Sequence, residues 1–137
     1  MPKFLPEINA ILAKYPTLVY TIAGHAGDGN FHIIPLMDFK RPDTADVILE
    51  VGEKVYDLVM QYHGSITAEH NDGLIRTPYL PLMYGDAVMQ IFKKIKEIFD
   101  SKNIFNPGKK IATAETGGTK EYISAHVAVE HAAVHKV

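Results

Sequence analysis

At 137 residues, 47% of them apolar, the chain has the length for one domain with a single modest core and none to spare for a second. A formal charge of −2, a pI near 6.4 and scattered Lys and Arg residues provide no long-range attraction for nucleic acid or anionic lipid. With no cysteine, disulfides, zinc-thiolate clusters and thiol nucleophiles are excluded, and any metal must be held by nitrogen and oxygen.

Residues 1–14 contain Pro2, Pro6 and Glu7 and no continuous apolar run. Neither a secretory signal nor a membrane span is expected there, and a cytoplasmic location is the default expectation. Ile8, Ile11 and Leu12 stand at helical spacing and predict a short helix over residues 3–14, with Pro6 tolerable in its first turn. Two β-branched and aromatic runs then flank Asp28-Gly29, a dipeptide suited to a type I′ turn, and predict a hairpin with strands at about 17–26 and 30–37. Residues 43–62 read as a helix, with Asp43 as N-cap, Val47, Val51, Val55, Leu58, Val59 and Tyr62 on one face, and Gly64 beyond its end. Residues 65–68 predict a third strand ending at the cluster Glu69-His70-Asn71-Asp72-Gly73, followed by a loop with Pro78 and Pro81. A second clear helix covers 86–99, with Val88, Ile91, Phe92, Ile95 and Phe99 as its apolar stripe, and Asn106-Pro107-Gly108 breaks the chain after it. Residues 111–137 read as a tail in which Gly117-Gly118 forms a flexible joint. Residues 120–135 there are either disordered or one more helix with Ile123, Val127 and Ala132 inward.

Two constellations carry candidate chemistry. In GHAGDGNFH, residues 24–32, a two-residue loop at Asp28-Gly29 sets His25 opposite His32 across the ladder. Opposed residues share a face and let two imidazoles converge on one cation at about 2.0–2.1 Å. Gly27, Gly29 and Ala26 leave the backbone bare for close approach of a substrate or cofactor ring, and Asp28 and Asn30 suit a hydrogen-bonded turn. Bare His-x6-His spacing is also met in ordinary surface histidines, so the second cluster matters. Glu69, at the end of the expected third strand, would complete a set of two imidazoles and one carboxylate with open coordination positions. His70, not needed by a metal, is then the natural general base.

At these residues the chain resembles the C-terminal FAD-linked oxidase domain of the family containing D-lactate dehydrogenase, the glycolate oxidase subunit and D-2-hydroxyglutarate dehydrogenase. The resemblance runs in order over about residues 17–110. GHAGDGNFH resembles G-H-x-G-D-G-N-x-H, SITAEHNDG resembles S-x-x-x-E-H-G-x-G, and FDSKNIFNPGK resembles D-x-x-x-I-x-N-P-G-K. It implies an α+β fold: a small antiparallel sheet covered by helices at 43–63 and 85–100, about half of a ferredoxin-like substrate cap plus its return segment, with residues 1–110 as the domain. It implies that His25, His32 and Glu69 ligate a divalent ion, zinc or iron, holding the 2-hydroxyl and carboxylate of a small 2-hydroxy acid. His70 would take the hydroxyl proton while hydride leaves C2 for flavin N5. Asn30 would lie beside metal or substrate, and Asn106 and Lys109 would belong to the segment returning to the flavin lobe. Arg76 is the expected partner of the substrate carboxylate, because a guanidinium binds one bidentately.

The chain departs from the pattern twice. Asn71 stands where the family has Gly after Glu-His, and these residues contain no Gly-rich nucleotide site. FAD is therefore expected from a partner chain or lobe, the chain being a fragment, a split subunit or a relic without redox activity. The alternative is a standalone metal-binding or interaction module; hydrolysis by metal-bound water fits the donor set but not the motif order. An exposed apolar face and self-association are expected where the missing lobe would dock. Met60, Met83 and Met89 read as core fillers, His63 as a helix-end cation, and His131 and His135, with Glu130 nearby, as a weak i,i+4 pair.

Overall fold

The computed structural model describes residues 2–113 and 118–127. In chain order it has α1 (Phe4–Leu12), β1 (Val19–His25), β2 (Asn30–Leu36), α2 (Thr44–Gln61), α3 (Gly73–Arg76), α4 (Leu80–Phe99) and α5 (Lys120–Val127). The α+β expectation holds, with a two-stranded antiparallel sheet and helices around it.

Helix α1 buries Ile8 and Leu12, one turn apart, against Leu18 and Leu58. Ile22 and Ile33, directly opposed in the hairpin, pack on that same cluster with Val51 and Val55 of α2. A second cluster of Ile66, Tyr79 and Leu80 sits under the other end of α2, beside Tyr56, Val59 and Met60. Met60, Met83 and Met89 all pack there, as core fillers would.

Several local expectations change for identifiable reasons. The hairpin turns through four residues, not two: Ala26–Asp28 form a 3-10 turn, and Gly29 closes it in the left-handed region with φ 70° and its N–H on the Ala26 carbonyl at 3.3 Å. A type I′ turn needs positive φ at both central residues, and here only Gly29 of the pair has it. Asp43 precedes α2 as expected but does not cap it. Its carboxylate is held bidentately by Arg41 at 3.0 and 2.8 Å.

Helix α2 ends in a Schellman arrangement, with Gly64 N–H on the Val59 carbonyl and His63 N–H on the Met60 carbonyl, both at 2.9 Å. His63, at φ 54°, thus ends the helix through its backbone. The third strand over 65–68 does not form. The Ser65 and Thr67 hydroxyls bond each other at 2.9 Å, Thr67 N–H donates to Ser65 Oγ at 3.3 Å, and Ala68 turns left-handed at φ 42°. Such local side-chain bonds compete with a ladder.

Pro78 and Pro81 do not make a loop. They occupy first-turn positions of a 3-10 turn (Thr77–Tyr79) and of α4, where a missing N–H costs nothing. Helix α4 bends at Gly85, with φ 70° and ψ 163°, so residues 86–99 are its straight second part. Of the expected apolar stripe Ile91, Ile95 and Phe99 are exposed and Val88 and Phe92 half-buried; Ile98, Ile104 and Phe105 add to the exposed apolar surface. Among the described residues nothing covers that face. Helix α5 is capped by Thr119, whose Oγ1 accepts the Tyr122 N–H at 3.1 Å, and it buries Ile123. Gly118 is a close approach, since a Cβ there would stand 2.2 Å from the Gly108 carbonyl oxygen. Gly117, Glu130, His131, Ala132 and His135 lie outside the described residues. No described helix is long and apolar enough to cross a membrane.

Candidate functional site

The hairpin register pairs His25 with Asn30 and Ala23 with His32, not His25 with His32. The longer turn shifts the ladder by two residues, and because strand side chains alternate with period two, an even shift keeps both histidines on one face. They become diagonal neighbours, a separation that imidazoles can bridge. Their rings stand 5.7 Å apart, nearly perpendicular.

Gly24 makes that hairpin end possible. Its φ is +147°, and a Cβ would lie 2.3 Å from the Asn30 carbonyl oxygen and 2.8 Å from the Phe31 Cα. Glu69 and His70 arrive on the loop after α2. Left-handed turns at Ala68 and Asn71, φ 42° and 60°, bracket them, and His70 N–H closes onto the Thr67 carbonyl at 3.2 Å. In an extended strand neighbouring side chains would diverge. This bent segment turns both toward the hairpin.

The result is a four-residue cluster. One Glu69 oxygen, Oε1, stands 3.2 Å from His32 Nε2, 3.5 Å from His25 Nε2 and 3.6 Å from His70 Nε2. His70 Nε2 is also 3.3 Å from His32 Nδ1. His25, His32 and Glu69 each offer a ligand atom within 4.8 Å of the other two. Ligand atoms around a tetrahedral ion at about 2.05 Å stand roughly 3.3 Å from each other, so the nitrogen-to-oxygen spacings suit a small divalent cation. Two imidazoles and a carboxylate are also the donor types that zinc and iron accept. Side chains of His25, Glu69 and His70 are about half exposed, which leaves room for further ligands.

A groove of about 1180 Å³ runs from this cluster along β2 and α2. Asn30, His32, Glu69, His70, Arg76 and Tyr56 line its polar part, and Val51 and Val55 its apolar floor. Asn30 Oδ1 is buried without a hydrogen-bond partner. Arg76 spends one nitrogen on the Asn71 carbonyl, at 2.6 Å. Burial raises the Tyr56 phenol above its ordinary value, and the charge of Arg76 opposes that rise.

Asn106 and Lys109 stand apart. Both are exposed, on a turn closed by Lys109 N–H and the Asn106 carbonyl at 3.3 Å, and neither lines the groove. The lysine that reaches the site loop is Lys110, whose Nζ pairs with the buried Asp72 carboxylate. Asp72, Lys110, Tyr56 and Gly24 were missed by sequence reasoning. The doubled lysine gives no signal of which turns inward, and Gly24 was readable only as the small residue before His25.

Comparison with known proteins places the chain in a family. The profile of the FAD linked oxidases, C-terminal domain, matches residues 1–110. D-2-hydroxyglutarate dehydrogenase of Stutzerimonas stutzeri is 36% identical over 82% of this chain and 25% of its own length. Glycolate oxidase subunit GlcD of Bacillus subtilis is 35% identical over 77% of the chain and 22% of its own length. The mitochondrial D-lactate dehydrogenase [cytochrome] 1 of Saccharomyces cerevisiae is 30% identical over 77% and 18%. The chain thus spans a quarter or less of these relatives. No solved structure matches it. With the matched profile covering the hairpin, the Glu69 loop and the return segment alike, the chain belongs to the family of the FAD linked oxidases, C-terminal domain.

Proposed function

We propose that this chain is the substrate- and metal-binding portion of an FAD-dependent D-2-hydroxy-acid dehydrogenase or oxidase. The observation that carries the reading is the convergence of His25, His32 and Glu69, with ligand atoms 3.2 and 3.5 Å apart across the Glu69 oxygen. These three residues would hold zinc or iron, and the bound ion supplies Lewis-acid polarisation of the substrate's 2-hydroxyl. With His32 Nε2 toward the cation, its Nδ1 keeps the proton and donates to His70 Nε2, fixing one tautomer of each ring. His70 would act as the general base by exchanging that hydrogen bond for the substrate hydroxyl. Arg76 would bind the substrate's carboxylate from the groove wall, with Asn30 lining the same groove beside the metal ligands.

The described residues do not by themselves form a flavin cradle. Asn106 and Lys109 lie outside the groove, so no step is assigned to them. FAD would come with a lobe or partner chain that meets this one, in the cytoplasm, and self-association of the chain belongs to the same proposal. A standalone metal-binding module without redox turnover is the second reading, favoured by the distance of those two residues from the groove. The test is metal analysis of the purified protein beside His25→Ala and Glu69→Ala, with flavin assayed on the same samples. One equivalent of ion in the wild type, lost in both variants with circular dichroism unchanged, is expected. Equal ion content in all three would refute the metal site. Turnover of D-lactate, glycolate or D-2-hydroxyglutarate only after addition of a flavin lobe separates the enzyme from the module.

A further inference from the structure

We infer that Lys110 and Asp72, with Asn71, form a clasp that positions Glu69 and His70. The inference rests on the proposed role of those two residues as ligand and base. Asp72 is almost fully buried, its side chain 2% exposed, and neither carboxylate oxygen has a hydrogen bond of good geometry. The charge beside it is the Lys110 ammonium, paired with Oδ2. A buried carboxylate stripped of its cation is strongly unfavourable, so the loop is held wherever Lys110 holds it.

Five further bonds make the clasp directional. Lys110 Nζ donates to Asn71 Oδ1 at 3.3 Å, and that oxygen also accepts the Asp72 N–H at 2.9 Å. Lys110 N–H donates to Thr77 Oγ1 at 2.7 Å, and the same hydroxyl donates to the Gly73 carbonyl at 2.5 Å. From the other side Arg76 grips the Asn71 carbonyl. The return segment and α3 therefore hold the loop at Asn71 to Gly73, one to four residues past Glu69 and His70. A glycine at 71 could not supply the Oδ1 rung, so the departure at Asn71 ties the site to Lys110. All of these act through Glu69 and His70 and are positioning residues.

The test compares wild type with Lys110→Met, Lys110→Arg and Asn71→Gly by amide hydrogen exchange and by zinc titration against a chromophoric chelator. Lys110→Met is expected to speed exchange across residues 67–73 at least tenfold, leaving the hairpin and α1 unchanged. It should weaken zinc binding by about 10- to 100-fold, as loss of groups that orient metal ligands does. Lys110→Arg should recover most of both, and Asn71→Gly should lie between. Unchanged exchange in Lys110→Met overturns the clasp. Faster exchange with unaltered zinc affinity overturns positioning. Wild type that binds no zinc refutes the metal reading instead; the clasp is then decided by exchange and by the His32 and His70 imidazole NMR shifts, which should move in Lys110→Met. If Lys110→Met does not fold, Asp72→Asn/Lys110→Met, which buries no charge, replaces it in both measurements, and the same outcomes support or overturn the clasp.

Discussion

Gly24→Ala should be among the most damaging single-methyl additions in this protein, and Gly27→Ala, three residues on, should be harmless. At Gly24 the φ of +147° lies where L side chains rarely go, at a cost of about 1–3 kcal/mol. The new Cβ would also stand 2.3 Å from the Asn30 carbonyl oxygen and 2.8 Å from the Phe31 Cα, both backbone atoms of the paired strand. Relief requires β1 and β2 to separate by close to an ångström, which forfeits ladder hydrogen bonding at about 1 kcal/mol per bond. The sum is a loss of roughly 2–4 kcal/mol. At Gly27 a Cβ meets nothing within 4 Å and φ is not positive. Alanine there should be neutral or stabilise by about 0.4–1 kcal/mol through the unfolded chain.

Urea denaturation followed by circular dichroism measures both substitutions. Because Gly24 lies between Ala23, which faces His32, and His25, which faces Asn30, the same opening pulls the two histidines apart. Zinc affinity should fall with stability in Gly24→Ala and hold in Gly27→Ala. A Gly24→Ala protein within about 0.5 kcal/mol of wild type, the scatter of an ordinary surface substitution, would refute the reasoning, because nothing flexible lies in the path of that methyl.

The remaining predictions concern two other parts of the fold. Asp100 is held below the ordinary carboxyl value of 3.8, first by the Lys96 ammonium, with burial opposing and the amides of Ile104 and Phe105 assisting. Its stabilising contribution is therefore complete above about pH 4 and fades as pH falls through the lowered value. The stability gap between wild type and Asp100→Asn should shrink over that interval, and a gap constant down to about pH 2 would contradict it. Ile123→Ala, at a side chain 1% exposed where α5 meets α2, should cost about 2–4 kcal/mol; thermal melts unchanged from wild type would show that α5 is not part of the cooperative fold.

Legibility in the sequence followed how local the deciding physics is. Helix α1 was readable because Ile8 and Leu12 sit one turn apart, and α2 because its apolar residues repeat over its whole length. The hairpin was readable from its β-branched runs, but its register was not, since a four-residue 3-10 turn and a two-residue turn both place Gly29 at the corner. The site survived that misreading through parity: had the shift been odd, His25 and His32 would now face opposite sides. Residues 65–68 looked like a strand by composition, yet the Ser65 hydroxyl takes up the Thr67 amide and bonds the Thr67 hydroxyl, and among the described residues no neighbouring strand is available to outweigh them. The stripe on α4 was readable in its period, and most of it stands exposed. Periodicity reports which face is apolar, and only the rest of the assembly decides what covers it.

Glu69 and His70 stand on a short segment bracketed by two non-glycine residues in the left-handed region, Ala68 and Asn71, each costing about 1–2 kcal/mol. Against a total stability of about 5–15 kcal/mol for a domain, such strain persists only where other contacts hold the segment in place. At Ala68 the neighbouring Ile66 is anchored in the second core cluster. At Asn71 the backbone carbonyl is taken by Arg76 and the side chain by Lys110 and the Asp72 amide. Both anchors lie outside Glu69 and His70 and leave them half exposed. The segment is fixed at its ends and bare at its centre, so a ligand meeting the two imidazoles and the carboxylate finds them already turned toward it and has little ordering left to impose.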